Sequence, residues 1–446
     1  MEQAQNEYQT VMRWNTFVGV ALLQLGAWVS SPGQTGIHRL VGITAMPEQT
    51  ISLELAGSVA VAYSSYFDLY VLEASNNVTD WTPLPTLLRT NNSAKRLFYL
   101  DSHAPEHPSR VYRTLSNQLP TAFPKPTGPH PVGTTSILLT DPSRTNRYNV
   151  ASNGSFMITV WYPTPPTPGS LPAPYLEPQL APSLAGLYGV SQSVLTGLRS
   201  HAATGWPASH EAPFPVVLYS HGFKVHRRDN TAICVALASH GYFVVALDHA
   251  DCLATVFPDG RVLTTTASGF SDALFQNSVA DLRLVLEALT QMNRDEPFYR
   301  NHLDLQQVGT MGWSYGGGVA AELARTDARV KATVLLDAYL QSAQDVTSLG
   351  IQKPFLGQYN AASVFRTPFD QATQNAYWMN IRYTVHQHFA DWRAWLSSPA
   401  DSGRRAAVAM SGCIVAFFDK YLKARDDHLL DNPTNAYPEL INFVRK

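Results

Sequence analysis

Ser314 stands in Gly312-Trp313-Ser314-Tyr315-Gly316, with the apolar run "LQQVGTM" before it and an alanine-rich helical pattern after it. A serine hydroxyl attacks a carbonyl only when a base takes its proton and an acid orients that base. The required types follow in chain order: Asp337 ends the apolar run "ATVLL", and His386 and His388 share the stretch "VHQHFADW". A G-x-S-x-G segment between a strand and a helix has a mechanical meaning. Its glycines let the two elements approach closely, so the central side chain is pushed out at the strand's C-terminal edge. The backbone at Ser314 is therefore expected to be strained. Asp337, at the tip of the next strand, would stand on the same edge. Both histidines lie on a loop returning there, and residue type alone does not choose between them.

A developing oxyanion needs two fixed donors. The Tyr315 N–H, in the first turn of the helix, is one, because helix-start N–H groups lack intrahelical partners. The other is assigned to the Phe223 N–H in the loop His221-Gly222-Phe223 after "PVVLYS", with Gly222 supplying the turn and His221 bracing it. Trp313, beside the nucleophile, is expected to touch substrate. His226, Asp229, His249 and Asp251 could be pictured as metal ligands, but they scatter over two loops, where loop hydrogen bonding is the expectation. No metal site is read. A G-x-G-x-x-G with a suitably placed acid is missing, so no cofactor is expected.

The elements that must position these residues follow from periodicity. From "TSILLTD" and "FMITVWYP" onward, apolar strand cores alternate with helical patterns, which argues for a mostly parallel sheet covered on both faces, the two opening strands forming an antiparallel edge. One segment, 163–214, breaks the rhythm. Its proline-rich start and its apolar residues, Leu187 and Tyr188 among them, are read as a lid or pocket wall, and these two as substrate contacts. Before the proline-rich boundary at 119–133, period-two segments such as "TISLELAG" and "SRVYRTL" over 36–118 predict a small all-β, sandwich-like module.

At 446 residues, the chain exceeds one typical domain. The expected division is an extension or leader over 1–35, the module over 36–118 and a catalytic domain over 119–446. Residues 12–31 start with Arg13 and run through an apolar core to small residues, the layout of a secretory leader and too short to span a bilayer comfortably. The alternative is an internal strand or helix of the first domain. A secreted or periplasmic protein without a transmembrane anchor is expected. A formal charge of −2 gives no reason to expect nucleic acid. Cys234, Cys252 and Cys413 cannot all pair, and buried free thiols are the expectation, with a Cys234–Cys252 bridge as the alternative. Asn77, Asn91 and Asn153 open glycosylation acceptor triplets.

The segments "MITVWYP", "PVVLYSHGF", "LASHGYFVVALDH", "GWSYGGG", "ATVLLDA" and "VHQHFADW" together resemble the platelet-activating factor acetylhydrolase family of α/β-hydrolases, the secreted type and its bacterial and fungal relatives. That resemblance covers about residues 119 to 440. It implies an α/β-hydrolase fold and a serine esterase acting on short or modified acyl esters of lipids. It also implies Ser314, Asp337 and His386 as the triad, ranking His386 over His388, and Phe223 as the loop donor. The N-terminal module and the Trp313 and Tyr315 flanks depart from the mammalian members and leave the substrate open. A polyester hydrolase is the enzymatic alternative, since G-W-S-x-G-G-G resembles cutinase-like enzymes. An inactive binding or adhesion protein is the alternative of another class, and peripheral contact with a lipid or polymer surface fits either enzymatic reading.

Overall fold

The computed structural model describes residues 123–144, 154–166, 171–396 and 403–446, less positions 212, 266, 342 and 383; before residue 123 it describes only strand segments. Residues 1–119 with 398–402 form one compact unit, and 120–397 with 403–446 a second.

In the first unit, the alternating segments read from the sequence are strands. Arg39–Ala45, Ile51–Ala56, Arg96–Asp101 and Leu88–Asn91 make a four-stranded sheet, and Ser109–Ser116 pairs with Tyr70–Ser75 in another, all antiparallel. Their side chains, the rest of 36–118 and the triplets at Asn77 and Asn153 lie outside the described residues. Within the stretch expected to be a leader, Met12–Phe17 is a strand paired antiparallel with Ser109–Ser116, the internal-strand alternative. The short strands Val20–Ala21 and Gln24–Leu25 follow it, and the other residues of 1–35 lie outside the described set.

The second unit is built on one eleven-stranded sheet. In chain order its strands are β1 (Val132–Thr140), β2 (Ser155–Pro163), β3 (Pro172–Pro174), β4 (Arg199–Thr204), β5 (Phe214–Ser220), β6 (Phe243–Leu247), β7 (Leu303–Trp313), β8 (Val330–Leu336), β9 (Phe355–Asn360), β10 (Ala376–Ile381) and β11 (Leu440–Arg445). Their spatial order is 3-4-1-2-6-5-7-8-9-10-11, and the six strands from β6 to β10 run parallel. Parallel strands need both faces covered, which is why they read as unbroken apolar runs. Along β5, Val216 and Leu218 enter the core on one face and Val217 and Tyr219 that on the other. Helices α2 (Thr231–Ser239) and α5 (Gly403–Leu422) contribute to the core that holds Val217 and Tyr219, and α3 (Asp272–Asp295) and α4 (Tyr315–Thr326) to the one that holds Val216 and Leu218.

Two expectations change here. The pair β1–β2 is not an edge, because β4 pairs with β1 and β3 with β4 beyond it. Those two strands come from the segment read as a lid. Its helix α1 (Ala181–Tyr188) and flanking residues bury Tyr175, Leu180, Leu184 and Leu195 to 2% exposure or less, so the segment is packed into the core rather than laid over it. Apolar residues at helical spacing serve either purpose, and burial decides. All three cysteines are free and buried. Among the described residues no helix is long and apolar enough to cross a membrane.

Candidate active site

Strand β7 ends at Trp313 and α4 begins at Tyr315, leaving Ser314 alone to make the turn. Its backbone has φ 56° and ψ −123°, a region that L-residues avoid and keep only where the surroundings over-determine it. Those surroundings are explicit. The Ser314 N–H donates to Leu336 O at 3.0 Å, and Ser314 O accepts from Gly317 N at 3.0 Å and Tyr339 N at 2.8 Å. A Cβ on Gly312 would lie 2.1 Å from Gly316 O, and one on Gly316 2.2 Å from Ser220 O. Side chains at either position would force strand and helix apart.

The hydroxyl so presented meets His386: Ser314 Oγ and His386 Nε2 are 2.7 Å apart. On its other side, His386 Nδ1 donates to Asp337 Oδ2 at 2.6 Å. His386 opens a 3₁₀ turn, His386–Phe389, after β10, and Asp337 directly follows β8 with φ 42°. Asp337 is 7% exposed, and its carboxylate also accepts from the Asn360 backbone N–H at 3.0 Å and its side-chain amide at 2.9 and 3.0 Å. These bonds fix the orientation of the carboxylate that faces the imidazole. Asn360, at the end of β9, was not singled out in the sequence; its signal was a polar residue ending the strand after the acid's own. His388 is buried, and its Nδ1 accepts from Val385 N at 2.8 Å, so of the two histidines His386 meets the serine.

Neither the Phe223 N–H nor the Tyr315 N–H donates to an acceptor among the described residues. The intervening peptides are pinned. The Gly222 N–H donates to Asp229 Oδ2 at 3.4 Å, and His221 Nδ1 donates to Gly222 O at 2.7 Å while its Nε2 accepts from His249 N at 3.1 Å. Because a peptide unit is planar, fixing the Gly222 carbonyl fixes the opposed Phe223 N–H. Burial holds the His221 pKa down, which keeps the ring neutral, as this donor-and-acceptor pair requires.

Behind this loop lies a second serine–histidine–aspartate set. Ser220 Oγ is 2.9 Å from His249 Nε2, and His249 Nδ1 donates to Asp281 Oδ2 at 2.8 Å, with Arg144 Nη1 2.6 Å from the carboxylate's other oxygen. Ser220 and His249 are fully buried and Asp281 is 1% exposed. His226 is within 2.9 Å of the Tyr188 hydroxyl, and Asp229 accepts from the Tyr219 hydroxyl at 2.6 Å. Three of the four pictured metal ligands are thus engaged in the protein's own hydrogen bonds. Among the described residues no group of three or more His, Cys, Asp or Glu is arranged to hold a metal ion.

The expected substrate contacts divide. Trp313 is 4% exposed; its indole donates to His386 O at 3.1 Å, and its ring leaves no room for a side chain at Gly222. It lies between the 221–223 loop and the His386 loop and contacts both. Tyr188 is 6% exposed, packed on Trp392 with ring centroids 4.9 Å apart, while Leu187 is 40% exposed. Phe270 carried no signal in the sequence. Its ring is 46% exposed, stacks on Tyr315 at 5.5 Å and Tyr339 at 4.9 Å, and meets Phe223 at 4.5 Å. An aromatic surface therefore adjoins both proposed oxyanion donors.

Comparison with known proteins fits this geometry. The alpha/beta hydrolase family matches residues 194–439, and the family described as platelet-activating factor acetylhydrolase, isoform II, matches residues 115–260. The chain belongs to the alpha/beta hydrolase family. It is 24% identical to the platelet-activating factor acetylhydrolase of Gallus gallus over 60% of this chain and 74% of that one. It is also 24% identical to a probable 1-alkyl-2-acetylglycerophosphocholine esterase of Arthroderma benhamiae, over 74% and 96%. Among solved structures, a ferulic acid esterase from Streptomyces cinnamoneus superposes with a TM-score of 0.62 and 30% identity, covering 72% of this chain and 99% of that one. These findings bear out the resemblance read from the motifs and the expectation of a carboxylic ester hydrolase.

Proposed function

We propose that this ester hydrolase works through Ser314, His386 and Asp337 by way of an acyl-enzyme. His386 Nε2 takes the Ser314 proton as Oγ attacks the ester carbonyl, and the Phe223 and Tyr315 N–H groups receive the oxyanion. On collapse the alcohol leaves with the proton from His386. Water, deprotonated by the same nitrogen, then releases the acid and restores Ser314. Asp337 keeps the Nδ1–H tautomer in place and stabilises the imidazolium. The observation that carries this reading is the unbroken hydrogen-bonded chain from Asp337 through His386 to a serine on a strained elbow. A fluorophosphonate probe that labels Ser314 in the folded protein supports it. Absence of labelling favours the reading as an inactive binding protein.

The substrate proposed first is a lipid ester with a short or modified acyl group, supported by the acetylhydrolase relatives. A second reading, esters of aromatic acids including aromatic polyesters, is favoured by the rings around Phe270 and by the ferulic acid esterase neighbour. A hydrolysis panel separates the two: acetyl and butyryl phospholipids on one side, methyl hydroxycinnamates and a polyester film on the other. Export is proposed from the apolar 12–31 stretch. A mature N-terminus beyond residue 31 supports it, and a secreted chain that retains Met12–Phe17 overturns the leader. The 36–118 module is proposed as an accessory unit. Its removal is expected to leave turnover of soluble esters intact, with turnover of a lipid or polymer surface as the comparison.

A further inference from the structure

The oxyanion loop, 221–223, and the histidine loop, 386–391, are far apart in sequence, yet both are anchored on two consecutive residues at the start of α2. From Asp229, the carboxylate accepts from Gly222 N at 3.4 Å and from the Tyr219 hydroxyl at 2.6 Å, while its backbone carbonyl accepts from Asp391 N at 2.7 Å. From Asn230, the side-chain amide donates to the Tyr219 hydroxyl at 2.6 Å and to Phe389 O at 3.0 Å. Asp391 returns the contact by accepting from the Ala232 N–H, with both carboxylate oxygens at 3.3 Å. Tyr219, Asp229, Asn230 and Asp391 are each 2% exposed or less, so water does not substitute for a missing partner without entering the core.

We propose that Asn230, acting with Asp229 through the Tyr219 hydroxyl, is a positioning residue that fixes the oxyanion loop and the His386 loop against each other. The inference rests on the proposed roles of Phe223 and His386. Acyl transfer needs the base and the oxyanion donors in register at the same moment, and a displacement on the order of 1 Å at a reacting group costs about a hundredfold. Trp313 also contacts the same two loops, through its indole N–H to His386 O and its ring against Gly222, so the Asp229–Asn230 corner is a second tie between them. A side chain that donates to the histidine loop and, through one hydroxyl and one carboxylate, reaches the oxyanion loop sets their separation without touching substrate.

The test uses the full chain with active sites counted by fluorophosphonate titration, so that partly unfolded protein does not enter the rates. Asn230→Leu keeps the branching at Cγ, with a larger volume, and removes both donors. Per titrated site, kcat is expected to fall about tenfold or more with KM within about twofold, the pattern of a lost transition-state arrangement. The loss in kcat/KM is expected to be larger for an ethyl ester than for the p-nitrophenyl ester of the same acid, because only the ethoxide leaving group needs a proton from a correctly placed His386. Equal losses on the two esters, or rates per site within about twofold of the native protein, overturn the proposal. Tyr219→Phe interrupts the same chain with almost no change of shape and decides the question if Asn230→Leu does not fold. Where both fold, the double variant is expected to lose no more than the worse single one, and multiplied losses overturn the linkage through Tyr219. A native protein that neither labels at Ser314 nor hydrolyses any ester would sink the catalytic reading itself, and the inference with it.

Discussion

Strands β5 and β7 are neighbours in the sheet, and each leads at its C-terminal end to a serine hydrogen-bonded to a histidine that is hydrogen-bonded to an aspartate. Ser314 sits on a left-handed elbow beside two N–H groups without acceptors among the described residues, and its histidine side chain is 39% exposed. Ser220 is the last residue of a regular strand, and its histidine side chain is 0% exposed. Residue types and hydrogen-bond order are the same in the two sets. What differs is backbone strain, access and neighbouring N–H groups, the features that an acyl-transfer site would need. In the buried set the same bonds satisfy groups that would be costly to leave unpaired.

The sharpest way to break this contrast is Ser314→Ala, which is expected to lower kcat about a million-fold while leaving the thermal midpoint near its native value. Surviving turnover would mean that Ser220 or another group performs the chemistry. Next, Asp337→Asn is expected to lower kcat about ten-thousand-fold at neutral pH, because an amide at that place selects the wrong imidazole tautomer. A loss below tenfold would show that Asn360 and the loop hold His386 without the acid.

A third effect is on stability. Asp251 is buried, and that burial pushes its pKa up to about 6. A carboxyl with a raised folded-state pKa binds its proton more tightly when folded. Native stability therefore falls as pH rises from the unfolded value near 4 through about 6, then levels off. Asp251→Asn is expected to remove that loss, gaining about 3 kcal/mol above pH 7 and nothing below pH 4. Denaturant titrations at the two pH values measure it, and a gain independent of pH would contradict the assignment. The smallest effect belongs to Ser220→Ala, expected to cost about 1 kcal/mol and to leave turnover per labelled site within about twofold. A large loss of turnover per site would give the buried set a share in catalysis.

Much of the candidate site was legible because local sequence carries it. A glycine-flanked serine between a strand and a helix, and an aspartate ending the next apolar run, each read from a window of a few residues. The histidine was legible as a loop, and family resemblance chose His386 before the geometry did. The buried set was not legible, since Ser220, His249 and Asp281 come from a strand end, a loop and a helix middle with no common spacing. The same holds for Asn360 and for the Asp229–Asn230 corner, whose partners are over a hundred residues away in the case of Phe389. Residues 163–214 misled for another reason. Proline-rich chain followed by an amphipathic stretch looks alike whether it covers a pocket or extends a sheet, and only the pairing of β4 with β1 separates the two. Trp313 was expected at the substrate because of where it stands in the chain; that its indole also spans the two loops was not legible.

The crowding at the elbow also bounds how this enzyme can change. With Gly316 pressed to the Ser220 carbonyl and Gly312 to the Gly316 carbonyl, a library randomised across 312–316 is expected to return glycine at both places whatever ester is selected for. New substrate preferences then have to be recruited from the margins, at the exposed Phe270 and on the loops that carry Phe223 and Tyr339, where substitutions alter what enters without disturbing how the bond is cut.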